Sequence, residues 1–377
     1  MNDLQFSIVP TRPKDSHIID QRFCLSDAII QLAQEHIDSG IEEKIHSCLD
    51  KWNRGDIGSP ISDLRVIVEP IRMTPPSFRR LQLMNSFLRV FSRPQIITKY
   101  LEALVIASQD NRSGDSELIN RLKDDTLHSM YGWCGNCQIF YTSSAPLPYY
   151  GIKSKKLQRQ MGYPVGVWGI NIHVWQPNSS AIPFKVKGNL PSNIITEPPH
   201  SHPFDFVSIV LKGRVHQSTY YPCKNEDSAS SSISTYKGFG FEHVDGVWPP
   251  HTNKNKCYLK TLEHRVLIEE GGAYFMPLEV VHDVQVEKNV ASKTPAISLF
   301  FASEYYSPAH VYTTKEMIDF HNRNPFLKYE GSKLSSSQWE KKLIYISEYL
   351  LNTRETLNLN PIVKHRKSYS FLLNAQS

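Results

Sequence analysis

Pro198-Pro199-His200-Ser201-His202-Pro203-Phe204-Asp205-Phe206-Val207-Ser208-Ile209-Val210-Leu211-Lys212-Gly213 is the stretch on which the reading of this chain turns. A Pro-Pro pair closes one segment, two histidines alternate, and a β-branched and aromatic run continues to a glycine. β-formers bounded by turn residues predict a strand. Residues two apart on a strand share a face, so His200 and His202 point the same way. Two imidazoles on one face can supply two ligands to a borderline metal ion. A third comes from Gly271-Gly272-Ala273-Tyr274-Phe275-Met276-Pro277-Leu278-Glu279-Val280-Val281-His282-Asp283-Val284. There a Gly-Gly turn feeds a short apolar strand, and His282 opens the next one.

Together the two stretches resemble the paired motifs of the cupin β-barrel. The first cupin motif runs His-x-His, then a Glu four or five residues on, then a Gly seven further. Phe206 falls at the Glu position and Gly213 at the Gly. The second motif runs Gly, Pro, Gly, His, Asn. Gly271, Pro277 and His282 keep their places, Glu279 replaces the second Gly, and Val286 replaces the Asn. The carboxylate ligand is gone, so the metal set becomes His200, His202 and His282. Three unrelated, separately hydrogen-bonded histidines would leave the matching offsets of Pro277 and the Gly pair unexplained. The fold implied is α+β: a cupin (double-stranded β-helix, jelly-roll) barrel with a mainly helical N-terminal region and C-terminal helices.

Composition sets the outer bounds. At 377 residues the chain is long enough for two domains or one with additions. Hydrophobic residues at 40% and charged residues at 21% fit a globular protein with a sizeable core. A net charge of +5 without a long Lys/Arg run makes no case for nucleic acid. No stretch approaches the roughly 20 apolar residues of a membrane span. The N-terminus has no basic region followed by an apolar core, unlike a secretory signal. Six cysteines are too sparse for a disulfide scaffold, so a cytoplasmic location is expected.

Three regions are expected: a mainly helical 1–135, a barrel over 136–312 with an insertion at 223–258, and a helical extension over 313–377. From Leu25 to Trp52 apolar residues recur at three or four, predicting helices divided at Gly40, with Ser26 as a cap. Leu64-Arg65-Val66-Ile67-Val68 reads as a strand in a Gly/Pro-rich loop. Helices are predicted over 78–109, split at Pro94, and over 116–123. Cys134-Gly135-Asn136-Cys137 lacks the second pair a structural zinc needs and reads as a turn carrying two thiols.

Strands follow at 138–142 and 167–175. In the latter Asn171, His173 and Trp175 share one face, which lines the barrel or meets solvent. A strand over 214–221 leads to the insertion, whose serine tract at 228–234 is too polar to order itself. The apolar strand 296–301 is expected to be buried. Helices return at 314–321 and 337–351.

Within the cupins, residues about 159–310 resemble the cysteine dioxygenase family. The string is Ile170-Asn171-Ile172-His173-Val174-Trp175, His200-Ser201-His202, Val210-Leu211-Lys212-Gly213, Ala273-Tyr274, His282 and Pro295-Ala296-Ile297-Ser298-Leu299. The resemblance implies ferrous iron, Fe(II), on His200, His202 and His282, with dioxygen and a small molecule as reactants. The family's substrate-carboxylate Arg falls near Arg159. Its Ser-x-His-x-Tyr motif becomes Ser298-Leu299-Phe300-Phe301-Ala302, and its crosslinking Cys falls on Val207.

With the His and Tyr gone, Phe206, Tyr274 and Phe300 are the expected substrate-facing residues, and that side of the cavity is expected to hold no titratable group. The function expected is an iron oxygenase or dioxygenase on a small, amino-acid-like or carboxylate-bearing substrate other than free cysteine. The residues leave open a metal-dependent isomerase, lyase or hydrolase, and a non-catalytic ligand-sensing cupin.

Overall fold

The computed structural model describes residues 30–32, 37–110, 113–130, 134–143, 145, 166–176, 194–197, 199–202, 204–223, 235–243, 256–277, 280–291, 293–304, 309–313 and 334–351. The serine tract, the expected helix at 314–321, Ser26, Arg159 and Glu279 lie outside them.

In chain order the elements are β1 (Ile30–Leu32), α1 (Ser39–Asn53), α2 (Pro60–Met73), α3 (Phe78–Phe91), α4 (Pro94–Gln109), α5 (Ser116–Asp124), β2 (Leu127–Met130), β3 (Cys134–Tyr141) and β4 (Gly169–Trp175). They continue as β5 (Ile194–Thr196), β6 (Phe206–Lys212), β7 (Arg214–Cys223), β8 (Thr235–His243), β9 (Lys256–Glu269), β10 (Ala273–Met276) and β11 (Val281–Glu287). The last four are α6 (Lys288–Ala291), β12 (Ala296–Ala302), β13 (Ala309–Thr313) and α7 (Ser336–Leu351).

The strands form two antiparallel sheets. One has the order β1-β10-β6-β12-β4-β3-β2, the other β13-β8-β9-β7-β11-β5. Alternation decides what lies between them. Trp175, Phe206, Val210, Tyr274 and Phe300 point inward from the first sheet and meet Val215, Ile268, Val284 and Val286 of the second. The intervening residues Ile170, Ile172, Val207, Ile209, Leu299 and Phe301 point the other way, into a core shared with the helices. The first sheet is therefore buried on both faces, which is why β12 reads as an apolar run broken only by Ser298. The helices from both ends of the chain supply the third layer.

The α+β class stands, but the closed barrel does not. Among the described residues each sheet is open, ending in β1 and β2 or in β13 and β5. The sheets are joined by facing side chains, so the core is sealed without a continuous ladder.

Three local expectations are corrected. Leu64–Val68 is helical, inside α2. Ile61, Leu64, Ile67, Val68 and Ile71 are all buried at helical spacing, and packing of that face overrides the β-propensity of the run. Asp115 also caps α2, accepting from Ile61 N at 2.7 Å and Ser62 N at 3.2 Å. Ile30–Leu32 is a strand, not helix, because it covers the free edge of β10; α1 starts only at Ser39, capped by Asp38. The C-x-x-C opens β3 in place of a turn, with Cys137 fully buried. Within the 223–258 insertion, β8 pairs with β9 and β13.

Expected helices over 78–109 and 116–123 and the strands at 138–142, 167–175, 214–221 and 296–301 agree with the structure to within a few residues. No helix among the described residues is long and apolar enough to cross a membrane.

Phe301 is the pivot between layers. It is fully buried, with Phe87 at 5.3 Å and Trp168 at 5.5 Å between ring centroids. Beyond it, Arg80 of α3 meets Glu304 at 2.9 Å, both buried, and packs its guanidinium on Trp168. Phe301→Ala removes the ring and leaves a cavity, and is expected to cost about 3–5 kcal/mol. Urea unfolding of the variant checks this.

Candidate metal centre

β11 reads Val-His-Asp-Val-Gln-Val-Glu, and its alternation sends His282, Val284 and Val286 inward. Asp283 and Gln285 face outward, where Asp283 accepts from the Tyr220 hydroxyl at 2.6 Å and from Gln285 Nε2 at 2.9 Å. His200 stands beside His282 through an isolated antiparallel bridge. Each residue's N–H donates to the other's carbonyl, both at 2.8 Å.

The expectation that His200 and His202 sit within the β6 strand is corrected, since β6 begins only at Phe206. Residues on the approach to β6 carry them, and this bridge rather than strand alternation brings His200 to the site. Pro199, just before His200, suits a segment that does not extend the ladder.

The three rings pack together, with centroids 4.7 Å (His200–His282), 4.8 Å (His200–His202) and 5.2 Å (His202–His282) apart. Their ligating nitrogens all lie within 4.8 Å of one another, and among the described residues no carboxylate joins the group. His200 Nε2 and His202 Nε2 are 3.2 Å apart. Two nitrogens on a common first-row ion at about 2.1 Å each, near a right or tetrahedral angle, stand about that far apart.

His282 is buried, and its Nε2 has no hydrogen-bond partner among the described residues. An orphaned ring nitrogen beside two other imidazoles is suited to coordinating a cation. The donor set fits a metal ion.

Electrostatics agree with that use. Burial, then the charge of His200, holds His202 and His282 well below the usual imidazole range. Both rings are therefore neutral at pH 7 and have lone pairs to give.

The surroundings are aromatic. Phe204 stacks on His202 at 5.1 Å, Phe206 meets it edge-on at 5.0 Å, and Phe300 lies at 5.7 Å. Phe206 and Phe300 are themselves 4.3 Å apart, with Tyr274 edge-on to Phe206 at 6.1 Å. Of the expected substrate-facing residues, Phe206, Phe300 and Tyr274 thus lie at the site, and Arg159 is outside the described residues. Burial pushes the Tyr274 hydroxyl up to about 12, partly offset by Ser208 and Gln217 beside it. Asp205 lies away from the histidines, in a crevice with Ser77, Arg80, Leu81 and Phe275.

The expectation of no titratable group on the Phe300 side is overturned. His173 of β4 faces inward, its ring 5.3 Å from Phe300 and 5.4 Å from Trp175. Alternation of β4 shows which residues share its face, but only the second sheet makes that face interior. Among the described residues the His173 ring makes no hydrogen bond, and burial, then the charges of His200 and Lys342, lowers its pKa to about 4. Gln217, fully buried on β7 with Oε1 3.1 Å from His282 Nδ1, also belongs to the site. A polar side chain between inward Val215 and buried Thr219 is the only sequence signal for it.

No family model and no curated protein matches the chain. Among solved structures it is similar to hydroquinone 1,2-dioxygenase from Sphingomonas sp. TTNP3 with 4-hydroxybenzoate bound, at 14% identity over 37% of this chain and 61% of that one, TM-score 0.19. It is similar to hydroquinone 1,2-dioxygenase PnpCD in complex with Cd2+ and 4-hydroxybenzonitrile, at 14% identity over 36% of this chain and 58% of that one, TM-score 0.19. An oxalate oxidase follows at 11% identity over 58% of this chain and 74% of that one, TM-score 0.23. The match thus spans about three fifths of the length of the two dioxygenase chains. At these TM-scores the likeness carries no argument about fold or chemistry, and the site stands on its own geometry.

Replacing His200, His202 or His282 by Ala is expected to lower bound metal several-fold, while Asp205→Asn leaves it unchanged; elemental analysis after mild purification reads both. His173 gives a pH signature in the metal-free protein. Its folded pKa lies below the unfolded 6.5, so between about pH 6.5 and 4 the unfolded state binds the extra proton. Stability must fall as pH falls through that window, by up to about 3 kcal/mol from this group. His173→Phe should flatten that part of the fall, measured as the urea midpoint against pH.

Proposed function

We propose that the chain is a cupin-type mononuclear iron oxygenase, acting with dioxygen on a small carboxylate-bearing molecule other than free cysteine. The observation that carries this reading is the convergence of three imidazoles, with no carboxylate joining them among the described residues. Ferrous iron held by His200, His202 and His282 would bring substrate and dioxygen together as neighbours, the proximity that such metals supply. Neutral ligands leave the ion its full charge, which favours an anionic substrate.

The chain's own residues do the rest. Phe204, Phe206 and Phe300 cover His202 and keep water from that side. His173, neutral at physiological pH, offers one donor and one acceptor to a substrate on an otherwise apolar wall. Arg159 is the proposed carboxylate anchor. Residues 136–312 carry the site in this reading, and α1–α5 and α7 cover the back of the first sheet.

The absence of a Tyr hydroxyl at Ala302 and of an imidazole at Phe300 argues against cysteine. A polar substrate group there that His173 does not reach is left unpaired at a cost of about 1–3 kcal/mol, roughly one to two decades in affinity. Iron-loaded protein given cysteine and dioxygen is expected to form little or no sulfinate by mass spectrometry, while oxygen uptake appears with a larger carboxylate. Sulfinate turnover near about one per second, an ordinary enzyme rate, would contradict the substrate reading. Activity that persists without oxygen would replace the oxygenase with a metal-dependent isomerase, lyase or hydrolase.

A further inference from the structure

Gln217 is buried completely, which is a costly place for a primary amide unless it has something to hold. It sits on β7 across from Val284, one inward position along from the His282 pair with Thr219. That diagonal puts its Oε1 3.1 Å from His282 Nδ1, with Tyr274 beside its other end, where Nε2 has no hydrogen-bond partner among the described residues. Tyr274 and Ser208 belong to the first sheet, Gln217 and His282 to the second, so the amide stands where the two sheets meet.

We propose that Gln217 is a positioning residue that holds His282 in its Nδ1–H tautomer, so that Nε2 faces the metal position before any metal arrives. This rests on the reading of His282 as a ligand. An amide oxygen carries no hydrogen, so the contact requires the ring to donate from Nδ1. A neutral imidazole has one N–H, and spending it there leaves Nε2 as a bare lone pair. The opposite tautomer places a buried N–H at Nε2, where no acceptor exists among the described residues. It also sets the Nδ1 lone pair against the lone pairs of Oε1. Partners of this kind on a ligating histidine orient the ring, and losing one lowers metal affinity about 10–100-fold.

The tautomer is read directly from histidine ring nitrogen shifts of the metal-free, 15N-labelled wild type at pH 7, with the His282 signal assigned by its loss in His282→Gln. A protonated Nδ1 and bare Nε2 are expected; a protonated Nε2 overturns the proposal. Zinc affinity by chelator competition gives the second readout. Gln217→Leu, which cannot accept, is expected to bind zinc about 10–100-fold more weakly. Gln217→Glu, which can accept, should stay within a few-fold of wild type.

Equal zinc binding by Gln217→Leu and wild type, or equal losses in both variants, overturns the positioning role. A wild type that takes up no zinc contradicts the metal centre itself, while the ring shifts still report on Gln217.

Discussion

The site depends on one backbone contact. The two 2.8 Å hydrogen bonds between His200 and His282 tie the approach to β6 onto the start of β11. Without that bridge the two imidazoles belong to separate segments with no reason to meet. With it, their rings lie 4.7 Å apart, and His202, two residues on, completes the triangle. A ligand set borne on a backbone pair is held more firmly than one on free loops, because moving a ligand means breaking a ladder contact.

The rest of the molecule keeps that bridge in a dry, well-packed place. The second sheet carries His282 and Gln217, and the first carries the aromatic wall of Phe206, Tyr274 and Phe300. The helices close the far face of the first sheet around Phe301, Leu299 and Ile209. β12 shows the division within a single strand: Phe300 faces the histidines and Phe301 faces Phe87 and Trp168. Three polar residues admitted between the sheets, His173, Ser208 and Gln217, lie around the site.

Much of this was legible in the residues. The spacing of His200, His202 and His282, with Gly271 and Pro277 in register, points to one site because turns and two-residue periods leave a regular mark. Phe206 in place of a carboxylate was visible for the same reason. Three things were hidden. Leu64–Val68 has the composition of a strand, and only its partners in the helical layer make it part of α2. Ile30–Leu32 is too short for periodicity, and its conformation comes from the edge of β10. His173 and Gln217 each occupy one position of an alternating strand, and alternation cannot say which face another sheet will cover. Spacing alone places the histidines on β6, which starts four residues after His202, yet they converge, because the bridge does what alternation would do.

We propose that three imidazoles and no carboxylate from the chain hold one iron. X-ray absorption at the iron edge of the reconstituted, substrate-free protein tests it most directly. The account expects three imidazole ligands at about 2.1 Å, with water oxygens completing the sphere and no sulfur. Fewer than three imidazoles, a thiolate scatterer, or iron that washes away on desalting would contradict it.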